Sequence, residues 1–126
     1  MSLIPVPRKT GDQRMDDFFN WVYTVLSNGF IPKITNVATS YTVLPGDFYV
    51  GITSTAAART MTLPPIASLP VRKVYIFKDE SGGAGTNSIT IDGNSAETID
   101  GVTTKLINSN YGFLRIIKNG SNWFTW

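Results

Sequence analysis

Along most of this chain apolar and polar positions alternate with a period of two, and a helical period occurs once, near the start. The alternation is clearest in residues 71–101. Val74 and Ile76, with Lys78 beyond them, fall on one side of an extended run, and Tyr75 and Phe77 fall on the other. β-Branched and aromatic side chains of this kind suit a pleated, partly buried surface. Three glycines within residues 82–85 break the run, because they remove side chains and admit positive φ. Residues 88–91 resume it, with Ile89 and Ile91 facing one way and Ser88 and Thr90 the other, and Asp92-Gly93 supplies a hairpin-type turn. A short third segment closes on a second such pair, Asp100-Gly101. The rest of the chain is read around this β unit.

Before it, residues 41–44 form a strand that Pro45-Gly46-Asp47 turns back onto residues 48–50 as a hairpin. Residues 59–63 alternate again until Pro64-Pro65 stops them. After it, residues 102–107 and 111–118 read as strands, Asn119-Gly120 as a two-residue hairpin turn, and residues 122–126 as a closing strand.

Residues 10–29 carry the helical period. Thr10 and Gln13 make a capping box, Asp12, Asp16 and Asp17 sit near the positive end of the helix dipole, and Gly29 stands where a C-terminal cap belongs. Met15, Phe18, Val22 and Val25 recur at spacings of three and four, the seam of a coiled coil, and Phe19 and Leu26 widen it. About two heptads do not hold a coiled coil unaided. Two arrangements follow: packing on the chain's own β domain, or a short bundle of three chains. Residues 2–9, punctuated by Pro5 and Pro7, read as an extended arm, either a free terminus or a docking peptide. Residues 30–39 read as a linker, with Pro32 barring continuation of the helix.

Composition narrows the chemistry. The 126 residues fit one domain with a short appended arm. Only 16% are charged, and low charge with many apolar and aromatic side chains suits a surface meant for a partner chain. The net charge of +2 divides evenly, +1 in residues 1–33 and +1 in the remainder, so no basic stripe for nucleic acid exists. No run is long enough to span a membrane, and no apolar leader stands at the start, which points to folding in the cytosol. The chain has neither cysteine nor histidine, which removes disulfides, thiolate metal sites and the commonest general base.

The remaining candidates are weak. Gly82-Gly83-Ala84-Gly85-Thr86 has the look of a phosphate loop, but it lacks the Lys-Ser/Thr ending and opens into a strand. Asp92, Asn94, Glu97 and Asp100 offer oxygen ligands without the spacing of a calcium loop. Asp79, Glu80, Glu97 and Asp100 could form a glycosidase pair, yet turns are acidic for ordinary reasons. The expectation is therefore no catalytic, cofactor or metal site. The C-terminal aromatics Tyr111, Phe113, Trp123, Phe124 and Trp126 read mostly as core or subunit-interface residues, and Tyr111, Trp123 and Trp126 are the candidates for the one or two that stack on a sugar.

The order of motifs carries a resemblance. Leu63-Pro64, then Phe77-Lys78-Asp79-Glu80-Ser81-Gly82, then Asn87-Ser88-Ile89-Thr90-Ile91, then Thr98-Ile99-Asp100-Gly101, and finally Asn119-Gly120-Ser121-Asn122-Trp123 resembles the β module of bacteriophage tail-fibre, head-fibre and spike proteins. The resemblance covers residues 63–126. It implies a non-enzymatic homotrimer in the virion, made in the host cytoplasm. Its N-terminal arm would sit on a capsid or tail protein, and its head would face host surface glycans. The absence of a long shaft fits a short spike, head fibre or capsid decoration better than a reaching tail fibre. The expected fold is mainly β: a short N-terminal α-helix within residues 1–33, for attachment and trimerisation, then an antiparallel β-sandwich or barrel-like head over residues 34–126. A monomeric carbohydrate-binding module is the alternative.

Overall fold

The computed structural model describes residues 13–28 and 31–126, with side chains over residues 15–23 and 31–126. These divide into two compact units between Pro32 and Lys33. The first contains the helix α1, Gln13–Asn28. Asp16 lies in its first turn, where a carboxylate suits the dipole. Met15 and Phe18 are 42% and 55% exposed, Val22 is half-buried, and Trp21 and Tyr23 are also exposed. The Phe18 ring stands edge-on to Phe19 at 5.8 Å. The apolar surface of α1 is therefore broader than a single seam. The arm at residues 2–9, the expected caps at Thr10 and Gly29, and the side chains of Gln13, Val25 and Leu26 lie outside the described residues.

The second unit is a β-sandwich. Its strands are β1 Ile34–Val37, β2 Tyr41–Thr42, β3 Tyr49–Ile52, β4 Arg59–Thr62, β5 Val74–Asp79, β6 Ile89–Asp92, β7 Thr104–Ile107, β8 Phe113–Asn119 and β9 Asn122–Thr125. A five-stranded sheet has the order β1-β3-β5-β8-β9, and a four-stranded sheet the order β2-β4-β6-β7. From β1 to β6 each strand changes layer. Successive strands of one sheet then run the same way, and β1/β3, β3/β5, β2/β4 and β4/β6 pair in parallel. A parallel pair needs a long return path, and here the opposite layer provides it. After β6 the chain turns back within a layer, giving the antiparallel pairs β6/β7, β5/β8 and β8/β9.

This corrects the antiparallel expectation: both sheets are mixed. Residues 41–44 and 48–50 are not a hairpin, because β2 and β3 belong to different sheets. The two strands of the central unit, β5 and β6, likewise part into opposite layers. The turn residues do reverse the chain in both places, but the reversal crosses the sandwich. Residues 34–37, expected within a linker, form the edge strand β1.

The two inner faces meet in one core. Val50, Ile52, Tyr75, Phe77, Ile116 and Trp123 come from the five-stranded sheet, and Met61, Ile89, Ile91 and Ile107 from the other. The side assignments read from the alternation hold, with Tyr75 and Phe77 inside and Val74, Ile76 and Lys78 outside. Asp92-Gly93 is not a tight turn: Asp92 pairs with Thr104, and residues 93–103 form the connection. The tight turn lies within that loop. Ile99 bridges Val102 across Asp100-Gly101, with φ of 50° and 82°, as a primed two-residue turn requires. Ile99 is fully buried and ties the loop to Trp123. In the last hairpin Asn119 pairs with Asn122, so the loop is Gly120-Ser121, one residue later than expected.

Candidate functional site

The glycine-rich loop after β5 is built on Asp79. Alternation turns this carboxylate into the sandwich, where the residue has no solvent exposure. It accepts hydrogen bonds from the N–H groups of Ser81 (3.0 Å), Gly82 (3.0 Å), Ala84 (3.0 Å) and Tyr111 (3.1 Å), and from Ser81 Oγ (2.7 Å). Burial alone would raise its pKa. The hydrogen bonds from Ser81, Ala84, Tyr111 and Gly82 overcome that and hold it down to about 2. The loop looks like a phosphate cradle because it does hold an anion, one supplied by its own chain. Gly83 lies so close to Thr55 that a Cβ there would overlap the Thr55 hydroxyl, itself 2.6 Å from Ser81 Oγ. Gly83→Ala is expected to cost about 1–3 kcal/mol, as overpacking does, read as a lower denaturation midpoint.

Glu80, Glu97 and Asp100 are also engaged in the fold, as is Asp47. Glu80 accepts from Tyr49 Oη at 2.6 Å, and burial together with that bond pushes the phenol up to about 12. Glu97 receives the Ile66 N–H at 3.1 Å, at the start of a 3-10 turn over Ile66–Ser68. Lys118 Nζ donates to the carbonyls of Ile66 and Leu69 around the same turn. Asp100 accepts from the Thr125 hydroxyl and N–H, which lower its pKa, with Lys105 at 3.5 Å. Asp47 is buried and accepts from Leu44 N–H, Thr35 Oγ1 and Tyr41 Oη, with Lys33 at 3.5 Å. These partners overcome burial and lower its pKa. Among the described residues, no three carboxylates converge as a metal centre would require.

The aromatic candidates separate. Trp123 is fully buried, which corrects its assignment to ligand contact. Its pairing with Lys118 turns it inward, where its ring lies 5.6 Å from Tyr75. Tyr111 and Trp126 are 60% and 57% exposed. Lys78, Phe113 and Arg115 connect them on the outer face of the five-stranded sheet. Lys78 pairs with Phe113 and donates through Nζ to the main-chain oxygen of Tyr111. Arg115 shares the outer face of β8 with Phe113, and its guanidinium carbon stands 5.4 Å from the Phe113 ring and 5.0 Å from the Trp126 ring. Arg115 was not singled out from sequence, although the period of two between Phe113 and Arg115 carried that signal.

Comparison of the chain with protein-family models and with curated proteins finds no match.

Proposed function

We propose that this chain is a small homotrimeric structural protein of a bacteriophage virion: a fibre, spike or capsid decoration attached through its N-terminal region, with the sandwich as the host-facing head. The observation that carries this reading is the apolar surface of α1. Met15 and Phe18, both in the heptad seam, stand open to solvent beside Trp21. A 16-residue helix that exposes such side chains gains most of its stability from packing, and two further copies supply it. The motif order over residues 63–126 supports the phage assignment. The engagement of Asp79, Glu80, Glu97 and Asp100 in holding loops supports a non-enzymatic role.

Light scattering on the full chain is expected to give the mass of three chains, and Phe18→Glu is expected to give a monomer with an intact sandwich by circular dichroism. A monomeric wild-type chain would overturn the trimer and leave the carbohydrate-binding module in its place.

A further inference from the structure

The two sheets turn unlike faces outward. On the four-stranded sheet the outward rows are Thr42-Thr62-Asp92-Thr104 and Thr60-Thr90-Leu106, short and polar apart from one leucine. On the five-stranded sheet they are Ile34-Tyr49-Ile76-Arg115 and Val74-Ile117-Phe124. A third row, Asn36-Gly51-Lys78-Phe113, completes this second face. Ile34 and Phe113 are 62% and 57% exposed, and Phe124 is 42% exposed. Ile34 stands on one edge strand and Phe124 on the other, so the apolar surface crosses the whole sheet. A continuous exposed apolar face marks a contact surface.

Charge on this face is divided. Glu80 continues the outward alternation of β5 past Asp79, and its carboxylate lies across β3, where a Cβ on Gly51 would overlap both it and Asn36 Oδ1. Tyr49 Oη donates to it there. The cations lie on the opposite flank. Lys78 Nζ turns towards the loop before β8 and donates to the main-chain oxygen of Tyr111. The Arg115 guanidinium carbon stands 5.0 Å from the Trp126 ring. Among the described residues, none of the three forms an ion pair. The face is thus negative towards β1, positive towards β9 and apolar between. Such a surface complements a second copy of itself, negative flank against positive flank.

We propose that the outer face of the five-stranded sheet is a contact between copies of this chain, the Glu80 flank of one head meeting the Lys78 and Arg115 flank of the next. Joined in this sense, three heads close a ring in which each uses both flanks, and the apolar rows leave water. Five strands about 4.8 Å apart, of four to seven residues at about 3.3 Å each, cover on the order of 400 Å² in plan. A stable complex covers about 800 Å² per partner. The face therefore adds to the contact made by α1 and does not replace it.

This inference rests on the self-association proposed above and names where the heads touch. The test follows the mass of the full chain by light scattering over a dilution series, for the wild type, Glu80→Lys, Arg115→Glu and the two together. Each single reversal sets like charges against each other and is expected to raise the dissociation constant at least about tenfold. The double variant restores opposite signs and is expected to recover most of that loss. Glu80 and Arg115 form no ion pair within one chain, so the recovery reports a contact between chains. Phe113→Ser, outside the core, is expected to weaken association at least about tenfold as well. It serves in place of Arg115→Glu if circular dichroism shows that variant to be poorly folded. Unchanged dissociation in Glu80→Lys and Phe113→Ser would overturn the contact, as would a folded double variant no better than its parents. If these variants stay associated while Phe18→Glu is monomeric, the helix contact stands and only the face is lost. If Phe18→Glu still associates and adding Glu80→Lys disperses it, the face stands and the helix contact fails. A wild type that is monomeric at every concentration overturns both.

Discussion

Asp79→Asn is expected to lower folding stability by about 3 kcal/mol or more, the largest loss from any single polar substitution in this chain. The carboxylate accepts from main-chain N–H groups on both sides of the sandwich rim: Ser81, Gly82 and Ala84 from its own loop, and Tyr111 from the loop before β8. Hydrogen bonds to a charged group contribute about 1.5–3 kcal/mol each, and they do not add fully. Asparagine keeps the shape but replaces one acceptor oxygen with an amide that points hydrogens at these donors. Urea denaturation should show a lower midpoint at unchanged slope.

The pH dependence gives an independent reading of the same site. The folded pKa of Asp79, about 2, lies below the ordinary carboxyl value of 3.8. The unfolded chain therefore takes up the proton first as pH falls. The contribution of Asp79 is complete above about pH 4 and is lost as pH falls through about 2. Integrated over that interval it amounts to about 2 kcal/mol. The wild-type advantage over Asp79→Asn should shrink by about that amount between pH 5 and pH 2. Asp47 and Asp100 also have lowered pKa values, so both proteins lose stability in acid, and the difference between them is the quantity that isolates Asp79. A constant difference across that interval would mean that Asp79 is not ionised in the core.

How much of this was legible beforehand depends on which physical term decides each feature. Period-two alternation decided which side chains of residues 74–79 and 88–91 share a face, because a pleated strand admits no other arrangement. It could not decide the partner strand. Tyr41-Thr42 and Tyr49-Val50 look like hairpin arms, yet each pairs with a strand lying well beyond the next turn, Tyr41 with Met61 and Tyr49 with Ile76. Turn chemistry was read best where the backbone demands one residue type, as at Asp100-Gly101. At Gly82-Gly83 it marked the end of the strand but not the purpose of the loop: the glycines serve a side chain, Asp79, that lies outside the loop they form. The motifs behind the phage resemblance have structural duties here: Asp79 organises a loop, Ile99 plugs the core, and Trp123 fills it. Their order therefore speaks to the fold before it speaks to any ligand.

Trp123→Ala should cost about 3–5 kcal/mol, whereas Trp126→Ala should change stability by no more than about 0.5 kcal/mol. The two residues are three positions apart, an odd number, so alternation already puts them on opposite faces of β9. What alternation cannot say is which face is the core. Pairing settles it. Trp123 lies opposite Lys118 and Thr125 opposite Ile116, which is fully buried, so this row points inward and Phe124 and Trp126 point outward. Trp123 also holds the loop of residues 98–102 through its main chain, accepting from Asp100 N–H and donating to the Thr98 carbonyl. Those two bonds survive truncation of the side chain, so the loss in Trp123→Ala measures the ring and the cavity it leaves. Trp123→Phe separates the two. It keeps an aromatic ring beside Tyr75 and removes the indole N–H, which is buried without a partner. Its cost should be about 1 kcal/mol, because the lost volume is partly offset by removing an unsatisfied donor. If Trp123→Ala were as mild as Trp126→Ala, the inward face of β9, and with it the placement of Arg115 beside Trp126, would be wrong.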